Sequence, residues 1–255
     1  MISRRLLRIK VVKALYAHMK SESDSLQASE KTLVASIDKT YDLYFQMLAL
    51  VAEVARYAEQ RQEAAKQKKL PTFEDLNPNR KFVDNAVVRL IAESDSVNDR
   101  LAARKLSWAQ YPELIKSLYA QLEQSDYYKK YMTSTESSFR EDLALVTDFY
   151  TGELEGSELL EEVLDEQSIL WNDDLGFALV MVTRTLSGIR QSHREVKVLP
   201  KFKSDDDLAF AKELFAKTAV NFDTYLQYIE KFTRNWDVER IAFMDNLIMA
   251  TAVAE

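Results

Sequence analysis

The sequence predicts an all-α protein, and three observations predict it. Only four Gly and four Pro stand in 255 residues, where average usage would place about eighteen and thirteen. Between these breakers, apolar residues recur every three to four positions, the period of an amphipathic helix. Capping signals sit where such segments begin, as at Ser138 with Glu141 and at Ser204 with Asp207.

Residues 2–20 read as a first helix, with Leu7, Val11, Leu15 and Met19 at every fourth position. From Ser25 to Lys69 there is neither Gly nor Pro. Leu33, Ile37, Tyr41, Tyr44, Leu48, Val51, Val54 and Ala55 keep a 3.6-residue rhythm there, so the stretch is one very long helix or two. The apolar stripe fades over 61–69, and LPTFEDLNPNRK (70–81) supplies two prolines and an Asn-Pro-Asn turn signal, which marks a module boundary. Shorter helices are expected at roughly 82–94, 97–106, 112–124, 137–151, 156–166 and 173–189. HREVKVLPKFK (193–203) is a basic, β-branched connector. A long helix is expected from Ser204 to about Arg234, carrying Phe210, Leu214, Ala219, Phe222, Leu226, Ile229 and Phe232. Asn235 and Trp236 break it, and Asp237 is placed to cap a last helix through Ile241, Met244, Ile248 and Ala252. That helix stops in mid-pattern at Glu255, so a further segment is expected beyond it. No repeat of solenoid period and no low-complexity tract appear.

Charge is spread unevenly. The first twenty residues carry Arg4, Arg5, Arg8, Lys10, Lys13 and Lys20 and no acid, while the other 235 hold 28 Lys+Arg against 41 Asp+Glu. At about 0.15 M salt a charge is screened beyond roughly 8 Å, so local sign decides what a phosphate backbone meets. The net charge of −7 therefore leaves a polyanionic partner open. Residues 141–183 show the opposite bias, with twelve acids and no Lys or Arg. They read as a solvated face or as a docking face for a basic protein.

Other classes are excluded. Without cysteine there are no disulfides, thiolate nucleophiles or thiolate-held metals. No apolar run approaches the roughly 18 residues of a membrane helix. Lys10 and Lys13 interrupt the only stretch that resembles a signal peptide, so a soluble, cytoplasmic protein is expected. Gly152 and Gly156 are spaced as GxxxG, but charged residues around them exclude a membrane dimer motif. Four scattered glycines cannot write a phosphate-binding loop. Neither His18 nor His193 follows a Glu by three positions, so the di-iron helix pattern fails. No enzyme, cofactor or metal is expected.

Two blocks carry a resemblance. RLLRIKVVKALY (5–16) resembles the opening helix of the NusB family of transcription antitermination factors, in which an arginine-rich start runs into A-x-Q-x-L-Y. Arg4, Arg5 and Arg8 stand at the basic positions and Ala14, Leu15 and Tyr16 at the ending, with Lys13 for the usual glutamine and Val11 for the usual alanine. Residues 210–255 are similar to the family's central helix pair, matching at Asn235-Trp236, Glu239-Arg240, Asp245, Ile248, Ala252 and Glu255. Lys217 replaces a common glycine and Ala250 a usual arginine. The resemblance implies a discontinuous NusB-like helical bundle over 1–60 and 204–255, lacking the family's final helices, and a large inserted helical module over 61–203. This enlarged form resembles the NusB proteins of the Bacteroidetes. It implies an RNA-binding antitermination factor that supports ribosomal RNA transcription. Its partners would be boxA-like single-stranded RNA, a small-subunit ribosomal protein (NusE) and the transcription complex, with a homodimer left open. A helical protein–protein adaptor without RNA binding is the alternative.

The candidate RNA-binding residues are Arg4, Arg5, Arg8, Lys10 and Lys13. On a helical wheel the three arginines share the side of Val12, Leu15, Tyr16 and Met19, and the lysines Lys10, Lys13 and Lys20 fall opposite. Arginines on the core azimuth cannot be buried unpaired, so they project past the bundle or meet an anion. Guanidinium forks suit phosphate and stack on unpaired bases. Surface salt bridges at a solvated helix start are the plainer account of the same arginines. Tyr16 reads as core or rim. DYYKKYM (126–132) interleaves tyrosine and lysine as single-strand binders do, but aromatics are frequent in helical cores and no second such cluster lies nearby in sequence, so the core reading leads.

Overall fold

A computed structural model describes residues 1–21, 25–152, 154, 156–232 and 241–255. The described residues form thirteen α-helices and no strand, so the protein is all-α as the sequence predicts. In chain order these are α1 (Arg4–Lys20), α2 (Leu26–Lys66), α3 (Phe73–Leu76), α4 (Ala86–Ala92), α5 (Asp95–Arg104), α6 (Pro112–Gln124) and α7 (Asp126–Thr133). There follow α8 (Phe139–Thr151), α9 (Glu158–Gln167), α10 (Leu175–Gly188), α11 (Asp206–Val220), α12 (Phe222–Phe232) and α13 (Phe243–Ala254). None is long and apolar enough to cross a membrane.

The residues fall into two compact units, Met1–Lys39 with Pro200–Glu255 and Thr40–Leu199. The unbroken Gly- and Pro-free stretch forms one helix of 41 residues, α2, which gives its first part to one unit and the rest to the other.

In the first unit α1 packs on α11 and α13, and α13 also packs on α12. Its buried residues include Leu7, Val11 and Leu15 of α1, Leu33 and Ile37 of α2, Leu214 and Phe215 of α11, and Leu247 and Ala250 of α13. The chain start is pinned by a parallel bridge between Ile2 and Phe202, in which Ile2 N–H donates to the Lys201 carbonyl at 2.8 Å. Ser3 then caps α1 by accepting from Leu6 N–H. The expected helix 204–234 is divided at Asn221, whose side-chain amide donates to the Lys217 carbonyl and ends α11. The expected break at Asn235-Trp236, the cap Asp237, and Arg234, Glu239 and Arg240 lie outside the described residues.

The second unit is built around one large apolar cluster fed by α2, α4, α6, α8, α9 and α10. Its helix starts follow local chemistry: Asn85 caps α4, Pro112 opens α6, and Ser125, Ser138 and Ser157 cap α7, α8 and α9. The box expected at Ser138 forms by half. Ser138 accepts from Glu141 N–H, while the Glu141 carboxylate goes to Ser134 and Lys81. The segment 126–132 is a core helix, α7, with Tyr128 and Tyr131 buried against the cluster.

Tyr150 fixes α8 to α2. Its hydroxyl accepts from Val51 N–H at 3.2 Å and lies 2.8 and 2.9 Å from the Met47 and Leu48 carbonyls, to one of which it donates. Removing the hydroxyl loses its buried bonds to the backbone of α2, so Tyr150→Phe is expected to destabilise by about 1–2 kcal/mol. Urea unfolding checks this, and an unchanged midpoint contradicts it.

Candidate nucleic-acid interface

The rotation of α1 about its axis decides which of its cations meet solvent. Leu6, Leu7, Lys10, Val11 and Leu15 are its buried residues. Of the residues expected from the sequence on the inner side with the arginines, Leu15 is buried, Val12 and Met19 are half-buried and Tyr16 is exposed. Lys10 is only 4% exposed, so it is turned inward and presents no face to an outside phosphate. Arg5, Ile9, Lys13, Tyr16 and Lys20 fall within about 80° of one another at 100° per residue, and all five are exposed. Of the three lysines expected opposite Arg5, Lys13 and Lys20 therefore share its surface.

Arg4 and Arg8 stand on the side of Val11 and Leu15 in the first turns of α1, and each meets an acid from the other end of the chain, as expected of arginines on that azimuth. Arg4 Nε donates to Asp207 Oδ1 at 3.2 Å. Arg8 forks onto Glu255, with Nε donating to Oε2 at 2.6 Å and a terminal nitrogen to Oε1. Both guanidinium groups also sit over Phe210, at 4.7 Å and 5.5 Å from its ring centroid. Phe210 and Glu255 are partners of the α1 arginines that sequence reasoning did not assign, and no local signal links either to α1.

The two acids differ in how firmly they are held. Asp207 is buried, and its Oδ2 accepts from Lys203 and Ser204 N–H at 3.1 Å each, which is half of the box expected there. Burial alone would raise this carboxyl, but the Ser204 amide, the Arg4 guanidinium and the Lys203 amide outweigh it and hold it low. Glu255 is held low chiefly by its hydrogen bond to Arg8, and the same bond raises Arg8.

At the far end of the stripe, Tyr16 is 40% exposed and packs 5.7 Å from Phe243 of α13, over which Lys20 Nζ lies at 4.5 Å. Cation and aromatic face therefore alternate along one open surface, the arrangement single-strand binders use. His18 is engaged inside the unit by Ser29 at 2.9 Å and by the edge of Phe215. His193 Nδ1 accepts from Arg190 N–H. Among the described residues no three of His, Cys, Asp and Glu converge as a metal-holding group.

The units differ in charge. The first holds 15 Lys+Arg against 14 Asp+Glu, the second 19 against 27. Of the twelve acids in 141–183, Glu141, Asp142 and Asp174 serve local structure. Asp142 accepts from Ala86 N–H at the start of α4, and Asp174 from Thr40. Asp148, Glu158, Glu161, Glu162, Asp165, Glu166 and Asp173 are exposed, and Glu153 and Glu155 lie outside the described residues.

The chain matches no protein-family model, no curated protein and no solved structure.

Asp207 supplies the sharpest structural test. Its folded value lies below the unfolded one of about 3.9. Its contribution is therefore complete above the unfolded value and lost as pH falls through the folded one. Asp207→Ala is expected to destabilise by about 1–3 kcal/mol at pH 7. The gap to the parent protein should narrow as pH falls below about 5 and close only below the lowered folded value. Denaturant unfolding across that range checks it, and a gap that persists at low pH contradicts it.

Proposed function

We propose that the protein is an RNA-binding transcription antitermination factor of the NusB type, whose RNA contact is the exposed face of α1. The observation that carries this reading is the stripe of Arg5, Lys13, Tyr16 and Lys20 on the less acidic of two units. Cations there neutralise phosphates, and Tyr16 with Phe243 offers a rim on which an unpaired base stacks. Arg4 keeps half of its side chain exposed and adds to the field, whereas Lys10 does not. The resemblance of 5–16 and 210–255 to the NusB family supplies the RNA class, boxA-like single strands, and the partner, a small-subunit ribosomal protein. The exposed acids of α9 repel a polyanion and so favour its placement on the first unit. The mechanism involves no bond chemistry: the factor adds affinity and register to an RNA–protein assembly.

A second reading, a helical adaptor without RNA binding, is favoured by apolar side chains left open on the first unit. Phe232 is 76% exposed, and Tyr228 and Ile248 are also exposed. Binding to the ribosomal partner without RNA affinity in either protein or complex would support it.

Fluorescence anisotropy with a boxA-like oligoribonucleotide, with and without the ribosomal partner, tests the leading reading. Replacing Arg5, Lys13 and Lys20 together by Ala is expected to weaken binding at least about tenfold and to flatten the log–log salt slope by about 2, three single-strand phosphates. Unchanged affinity and slope contradict the assignment.

A further inference from the structure

We propose that Arg8 is a phosphate-binding side chain held shut by Glu255, whose carboxylate occupies the place that an RNA phosphate takes. The inference rests on the RNA-binding reading above and deepens it.

The guanidinium fork of Arg8 is spent on Glu255 in a two-pronged contact, and that fork fits carboxylate and phosphate oxygens alike. Phe210 supports the guanidinium from its face, independently of the anion at its edge, so the group stays oriented when the anion is exchanged. Both partners are accessible: the Arg8 side chain is 42% exposed and that of Glu255 34%. An exposed pair of this kind is weak and screened by salt. Arg8 also stands three residues after Arg5, one helical neighbour away, so a backbone laid along the stripe passes beside it.

Arg4 shows by contrast what a fixed pair is. Its partner Asp207 is buried and tied to two backbone amides, so it cannot leave without stranding both. Glu255 has no such amide ties among the described residues. Its side chain can swing off Arg8 at the cost of one surface ion pair. The Arg8–Glu255 contact therefore acts as a competitor built into the chain. A stray anion does not displace it, whereas a polyanion already anchored on Arg5 does, because its next phosphate arrives at high local concentration.

The experiment is anisotropy of a labelled boxA-like oligoribonucleotide from about 0.05 to 0.3 M salt, using the full chain and four variants. Glu255→Gln is expected to bind about three- to tenfold more tightly, with a slope steeper by about 0.7, one further single-strand phosphate. Asp245→Asn removes one negative charge from the same helix without touching Arg8 and is expected to change affinity less than about twofold. Adding Arg8→Ala to Glu255→Gln is expected to abolish the gain. Should Glu255→Gln fail to fold by circular dichroism, Glu255→Asp is read in its place, with a smaller gain in the same direction. A gain no larger than that of Asp245→Asn, or one that survives loss of Arg8, overturns the proposal. If the parent protein binds RNA and Glu255→Gln does not change it, only the Arg8 proposal falls. If neither binds RNA, the RNA reading falls and takes this one with it.

Discussion

Burial of one apolar stripe, Leu7, Val11 and Leu15 of α1, governs the chemistry of the first unit. All three are fully buried where α1 packs on α11 and α13. Losing any one would cost several kcal/mol, so the helix cannot rotate to suit its cations. Once the stripe is seated, every charged residue of α1 has its fate assigned. Lys10 is turned inward, Arg5, Lys13 and Lys20 are turned out, and Arg4 and Arg8 are left on the core side of the first turns, where a charge needs a partner. Asp207 and Glu255 are those partners, and Phe210 serves both arginines at once.

Carboxylates do two kinds of work in this protein. Several act as local scaffolding, bonded to backbone amides at helix starts. Glu195 accepts from Asp95 N–H at 2.6 Å and from the Ser94 and Ser96 hydroxyls, capping α5 from a hundred residues away. Asp142 does the same for α4, and Asp207 joins the backbone ahead of α11 to Arg4. Others, on α9 above all, lie in solvent and give the second unit its negative sign. The same residue type thus stabilises the fold in one setting and sets the sign of the surface in the other. Glu255 belongs to neither group cleanly, which makes it a candidate for exchange with an incoming anion.

Helix type, and the start of most helices, was legible because it depends on nearest neighbours: scarce breakers, apolar period and capping side chains. What escaped the sequence reading depends on distant partners. Arg4 and Asp207 are 203 positions apart, and Arg8 and Glu255 are 247 apart. The stripe Leu7, Val11 and Leu15 of α1 was legible, whereas the sides of Tyr16 and of Lys10 against Lys13 and Lys20 were not, for the same reason. Ten apolar and six Lys or Arg residues are compatible with more than one inner face, and the choice is made by α11 and α13. The stop at Asn221 turns on one side-chain amide that competes for a helix carbonyl, a weak signal in an otherwise continuous apolar pattern. The division between Lys39 and Thr40 has no sequence signal at all, since α2 passes through it without a break. The tyrosines of α7 show the converse: an aromatic–lysine alternation that resembles a stacking platform proves to be core, because burial and not composition decides whether a ring is free.

The central claim is that a nucleic-acid strand lies along the open face of α1. Ultraviolet cross-linking of a bound boxA-like oligoribonucleotide, with adducts located by mass spectrometry, tests it most directly. The account predicts adducts on the peptide bearing Tyr16 and on that bearing Phe243, with none on α7 or α9. Adducts confined to residues 40–199 would contradict it.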